Sequence, residues 1–221
     1  CGTRVRDLSC LRQRSLDSLD MSDTGVLDFS FLAGLKLRGL SLSGTAVRSI
    51  DVLEGMPLEL LKLENTRVRD IDALRGMPLK ILFISGTDVD DLSVLRGAPL
   101  EILHVRGCPI RSLSPLAGMP LKNLDVAETD VRDLRFLVKL PLRHLSVRGV
   151  HRADLRPLAR LELRSLDCRD IPSHKLEALR GARTSAIRID DPVDVSVVLR
   201  SMPNLEEING RAWSRSMRDW L

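Results

Sequence analysis

Leu58 to Pro78 reads LELLKLENTRVRDIDALRGMP, Leu79 to Pro99 reads LKILFISGTDVDDLSVLRGAP, and Leu100 to Pro120 reads LEILHVRGCPIRSLSPLAGMP. Each stretch is 21 residues long, and Leu37, Leu58, Leu79, Leu100, Leu121, Leu142 and Leu163 recur at that spacing without a slip. A fixed period in this range marks a stack of like units rather than a globule. One such unit is too short to bury its own apolar face, so each coil depends on its neighbours.

With the slots of a unit numbered from Leu58, apolar residues fall at slots 1, 4, 6, 11, 14 and 17: Leu58, Leu61, Leu63, Val68, Ile71 and Leu74. Slots 4 and 6 alternate with polar slots, the period of a strand with one buried face. Slot 9 holds Thr3, Thr24, Thr45, Thr66, Thr87 and Thr129, with Cys108 once. A buried hydroxyl there can bond backbone groups where the chain leaves the strand. Slot 15 holds Ser30, Asp51, Asp72, Ser93 and Ser114, residue types expected to cap a helical turn. Slot 19 holds Gly34, Gly55, Gly76, Gly97 and Gly118, expected just past that turn. Slot 21 is often Pro, from Pro57 to Pro141, which favours extended chain before it.

The pattern L-x-x-L-x-[LIV]-x-x-[TC]-x-[VI] resembles the leucine-rich repeat family over nearly the whole chain. The resemblance implies an α/β fold: a right-handed solenoid, or horseshoe, with a parallel concave sheet and short helical turns on the convex side. The family's usual slot-9 Asn is replaced by Thr, so an Asn ladder does not carry over. The 21-residue form GT-x-V-x-D-L-S-x-L-x-G-M-P-L looks like arrays in large multidomain bacterial proteins, including some that carry Ser/Thr kinase domains. Internalins are the next resemblance, with a repeat one residue longer.

The unbroken period makes 1–221 a single domain: a partial repeat over 1–15, eight repeats over 16–183, a degenerate repeat over 184–204 and a C-terminal cap over 205–221 that carries Trp213 and Trp220. Cys1 falls at slot 7, so the array begins inside a repeat, and the expectation is a piece of a longer protein with an exposed strand edge on Leu16–Met21. From Leu142 the pattern changes, and Ser173 is expected to cap a helix through His174–Arg180 closed by Gly181.

Hydrophobic residues make up 43% and aromatic residues 3%, with no Tyr, so the core is aliphatic. Lys and Arg number 34 against 30 acidic residues, with the signs interleaved, which gives little pull on a polyanion. No apolar run is long enough to span a membrane, and no signal peptide is visible. Cys108 and Cys168 fall at inward slots, and with Cys1 and Cys10 they lack metal spacing, so free thiols, no metal and no cofactor are expected. Together these features favour the cytoplasm.

On the horseshoe geometry, slots 3 and 5 point out from the concave face. Leu60, Ile81 and Ile102 become neighbours at slot 3, and Lys62, Phe83, His104 and Asp125 at slot 5. With Arg106 on the rim, these residues form the candidate binding surface for a protein or peptide, since contiguous exposed apolar area marks interaction sites. The competing reading is that such residues simply favour a sheet surface and pack on one another. Arg38, Glu59, Lys80, Glu101 and Lys122 alternate in sign at slot 2, as a cross-strand ladder would. Arg143, Arg148, Arg164 and Arg169 gather further along, among Asp167 and Asp170. His104 and Asp125 sit close enough to pair, with Ser146 one strand on, but an open sheet gives a hydrolase no water-excluding pocket. No enzyme is expected, and no nucleic-acid partner, because no aromatic platform or sustained basic stripe exists. The reading favoured is a non-catalytic recognition module of a larger bacterial protein; the alternatives are a spacer or self-association element pairing through its N-terminal edge, and a regulatory fragment of a kinase-like signalling protein.

Overall fold

The computed structural model describes residues 16–212 apart from Val193. The partial repeat with Cys1 and Cys10, and the part of the expected cap that holds both Trp, lie outside the described residues. Eleven short strands form one sheet in chain order. They are β1 (Ser18–Asp20), β2 (Gly39–Ser41), β3 (Leu60–Lys62), β4 (Ile81–Phe83), β5 (Ile102–His104), β6 (Asn123–Asp125), β7 (His144–Ser146), β8 (Ser165–Asp167), β9 (Ala186–Arg188), β10 (Glu207–Ile208) and β11 (Arg211–Ala212). The pairings from β1 to β10 are parallel, and each places a residue beside its counterpart in the next repeat. The chain is a right-handed leucine-rich-repeat solenoid, as parallel crossovers in one sheet require. The expected free edge on Leu16–Met21 would depend on residues 1–15, outside the described set.

The interior is a set of aligned columns. Leu40, Leu61, Leu82, Leu103, Leu124, Leu145, Leu166 and Ile187 stand in register, each at most 3% exposed. Beside them runs the slot-9 column. The hydroxyls of Thr24, Thr45, Thr66, Thr87 and Thr129 each donate to the carbonyl three residues back, at 2.6–2.8 Å. This closes the bend where the chain leaves the strand and cannot offer its carbonyl to a neighbour. Cys108 breaks the column and directs its Sγ to the Ile84 carbonyl of the preceding coil at 3.0 Å. Burial pushes the thiols of both Cys108 and Cys168 up, so neither is a ready thiolate.

The convex side corrects the expected capping. A 3-10 helix begins at slot 15 itself, as in Asp51–Leu53, Asp72–Leu74 and Ser93–Leu95, and those side chains cap nothing. The cap comes from slot 13. Asp28, Asp70, Asp91, Asp133 and Asp154 each accept the slot-15 backbone N–H through Oδ1 at 2.7–3.0 Å, and Ser49 and Ser112 do so through Oγ. A carboxylate two residues ahead reaches the orphan donor directly, the geometry of an Asx turn. Ser173 is likewise the first residue of α1 (Ser173–Leu176), not its cap. That helix tightens into a 3-10 turn over Glu177–Leu179, and Gly181 closes it as expected.

Slot 19 decides how each helical turn ends. In Leu95–Ala98 the Ala98 N–H donates to the Leu95 carbonyl at 2.9 Å, Arg96 has φ −54° and ψ 123°, and Gly97 has φ 75°. That is a type II turn, which needs a positive φ at its third residue and hence glycine. Lys139 and Arg160 replace the glycine in two coils. Without it the chain keeps helical geometry, and the 3-10 helices run on as Arg135–Lys139 and Arg156–Arg160, two residues longer than their counterparts.

Slot 8 is left-handed in every coil from Asp23 to Asp170, including the non-glycines Asp23, Asn65, Glu128 and Asp170. The side chain of Asn65 lies across Gly86 in the next coil, where an added Cβ would meet its Oδ1 at 2.7 Å. At the C-terminal end the degenerate repeat keeps its strand and gains α2 (Ser196–Arg200). Asn209 and Gly210, both at positive φ, then reverse the chain so that β11 pairs antiparallel with β10. Asn-Gly between two extended segments is a strong hairpin signal.

Candidate functional site

The concave face is built from slots 3 and 5, which the pleat turns away from the core. Register places Leu60 beside Ile81 and Ile81 beside Ile102, all three half-buried. Lys62, Phe83, His104 and Asp125 are likewise aligned across β3 to β6. The Phe83 and His104 rings stack with centroids 4.5 Å apart and planes at 24°. On the other side of Phe83 the Lys62 ammonium sits 5.5 Å from the ring centroid, within cation–π reach. Six of the eight residues singled out thus form one strip: three aliphatic side chains along one row, and a cation, an aromatic ring and an imidazole along the other.

The remaining two are engaged locally. Arg106 forms an ion pair with Glu128 at 2.7 Å, and this bond raises the pKa of the guanidinium. Asp125 Oδ1 accepts the Ala127 N–H at 2.9 Å, so it is tied to its own turn. His104 stacks on Phe83 instead of pairing with Asp125. Glu128 was not among the residues singled out, because its reach to Arg106 depends on its left-handed backbone at slot 8.

Past β6 the same face turns polar. His144, Ser146, Ser165, Asp167, Arg169 and Arg188 line a shallow depression there. Arg148 pairs with Asp170 at 2.5 Å and Arg169 with Asp167 at 2.6 Å, so two of the four clustered arginines are internally neutralised. Burial raises the Asp167 pKa, but the Arg169 hydrogen bonds and the charges of Arg169 and Arg188 outweigh it and hold the carboxyl below its ordinary value. Arg143 and Arg164 form no ion pair among the described residues. The slot-2 ladder closes in two pieces. Glu59 bonds both Arg38 and Lys80, and Glu101 bonds Lys122 at 2.6 Å. Bonds from Lys80 and then Arg38 lower the Glu59 pKa, and a bond from Lys122 lowers that of Glu101. No described helix is long and apolar enough to cross a membrane.

No family model matches the chain's sequence, and no curated protein matches it. Solved structures do match its fold. An internalin C2 from Listeria monocytogenes is similar at TM-score 0.62 and 23% identity, covering 83% of this chain and 84% of that one. The functional domain of InlJ from Listeria monocytogenes, which includes a cysteine ladder, is similar at 0.59 and 19%, covering 91% and 40%. The APL1 leucine-rich repeat domain is similar at 0.55 and 15%, covering 96% and 59%. A complex of TLR13 with ssRNA13 supplies a further match at 0.59 and 17%. These likenesses place the chain among leucine-rich-repeat folds.

Proposed function

We propose that the concave sheet is a binding surface for a protein or peptide, centred on Leu60, Lys62, Ile81, Phe83, Ile102 and His104, with Arg106 and Asp125 at its border. The chain acts by recognition, without catalysis, as part of a larger bacterial protein whose array has the 21-residue form. One observation carries this reading: an aromatic stack lies beside an aliphatic row on the open side of the sheet, half-exposed with nothing above it among the described residues. Such a strip offers a partner the rigid, partly desolvated anchor typical of binding hot spots. Of the charges flanking it, Arg106, Arg148 and Arg169 are paired within the protein, so these would orient a partner rather than attract one over distance.

The test is selection of binders from a random peptide library displayed on phage, followed by affinity measurement on variants. Peptides selected on the wild-type chain should bind Phe83→Glu and Ile102→Glu about tenfold or more weakly, with unchanged melting temperatures. Equal binding by wild type and both variants, or no selectable binder, would overturn the proposal.

A further inference from the structure

On the convex side, between the two lengthened 3-10 helices, lies a furrow. Val138 and Pro157 supply its apolar part, and Arg135, Lys139, Arg156 and Arg160 surround it, with Asp154 as the single carboxylate in its lining. Arg156 is bound to that carboxylate at 2.7 Å, and Arg135 to Asp133 at 2.7 Å. Lys139 and Arg160 form no ion pair among the described residues. The corresponding slots 15 and 19 are Asp51 and Gly55, Asp72 and Gly76, Ser93 and Gly97, and Ser114 and Gly118 in the regular coils. None of those is a cation. Two of the four cations, Lys139 and Arg160, are thus the residues that replace the glycine of the type II turn. They also leave Phe136 and Val138 more than a third exposed, although Phe31 and Val94 at the slot of Phe136 are buried.

We infer that this convex furrow is a second binding site, for an Asp/Glu-rich protein segment that seats an apolar side chain against Val138 and its carboxylates on Lys139 and Arg160. Charge complementarity names the occupant: of the four cations, Arg135 and Arg156 are held by Asp133 and Asp154, and Lys139 and Arg160 have no internal ion-pair partner among the described residues. Shape separates a peptide from a lipid surface. A furrow between two parallel helical turns admits a single chain, whereas a flat bilayer would rest on the ridges and leave Val138 and Pro157 uncovered. The site stands apart from the concave face, on the opposite side of the coils.

The probe is a fluorescein-labelled peptide of Glu-Glu-Leu repeats, titrated by anisotropy at low and moderate salt, with a Lys-Lys-Leu peptide as control. The inference expects saturable binding of the acidic peptide alone, weaker at higher salt. It also expects a loss of about tenfold in the Lys139→Glu/Arg160→Glu variant and no change in Phe83→Glu. Both sites of change are exposed, and an unchanged melting curve verifies that the variant folds. Absence of saturable binding, equal binding by the double variant, or loss in Phe83→Glu instead would overturn it. So would capture by phosphatidylserine vesicles that the double variant abolishes, which would assign the furrow to lipid.

Discussion

The coils over 58–120 and those over 121–162 share one interior and differ on their outer side. In both, the inward leucines stand in line and out of water, from Leu61 to Leu145. In the first group a glycine at slot 19 ends the helical turn at three residues, and in the second Lys139 and Arg160 let it run to five. The strands on either side keep their register through the change. The core sets where each coil sits, while a single backbone conformation on the convex side sets what that coil presents.

The sharpest way to break this comparison is to cut into the shared interior on each side of it. Leu82→Ala and Leu145→Ala should each destabilise by about 2–5 kcal/mol, since a buried leucine is lost and a cavity left. Denaturant midpoints would show whether the second group tolerates the loss better, which would mean that its core is looser. Next in size is the turn. Gly97→Ala should cost about 1–2 kcal/mol, because the site is left-handed although an added Cβ meets nothing within 4 Å. Lys139→Ala should change stability by no more than about 0.5 kcal/mol, as its backbone is already helical. Equal losses would refute the account of why the helices lengthen.

Smaller again is the slot-9 column. Thr66→Val keeps the shape but removes the hydroxyl bonded to the Leu63 carbonyl, for an expected loss of about 1 kcal/mol. The smallest effect concerns the caps. Hydrogen bonds from the Arg135 side chain, then from its backbone, depress Asp133 from 3.8 to about 2. A depressed folded pKa contributes stability that is present above the ordinary value and is lost as pH falls toward about 2. Carboxyl resonances followed by NMR should show Asp133 titrating below the ordinary aspartate value, and returning toward it in Arg135→Ala. The stability change should be slight, because the pair is largely exposed.

Much of this was legible in the sequence because a repeated period averages out local ambiguity. Leu61, Leu82, Leu103 and Leu124 could be aligned by counting, and so could Leu60, Ile81 and Ile102 on the opposite face. What counting could not give was which atoms meet. The cap at slot 13 was missed because Ser and Asp also populate slot 15, and only the helix start tells them apart. The His104 stack on Phe83 and the Arg106 pair with Glu128 depend on rotamers and on a left-handed residue, neither of which a period encodes. The extended helices did have a signal, the missing slot-19 glycines, and the terminal hairpin had one in Asn209-Gly210.

The left-handed slot-8 residues carry a further consequence for how such an array can grow. Asn65 leans over a glycine in the coil above, and Asp23 does the same to Gly44. A copy of the 58–78 coil inserted directly after itself would set one asparagine against another where a bare backbone now lies, and the lower side chain would have to swing away. At these two boundaries the neighbouring coils are therefore matched to each other, and their order along the stack is part of the information the chain carries.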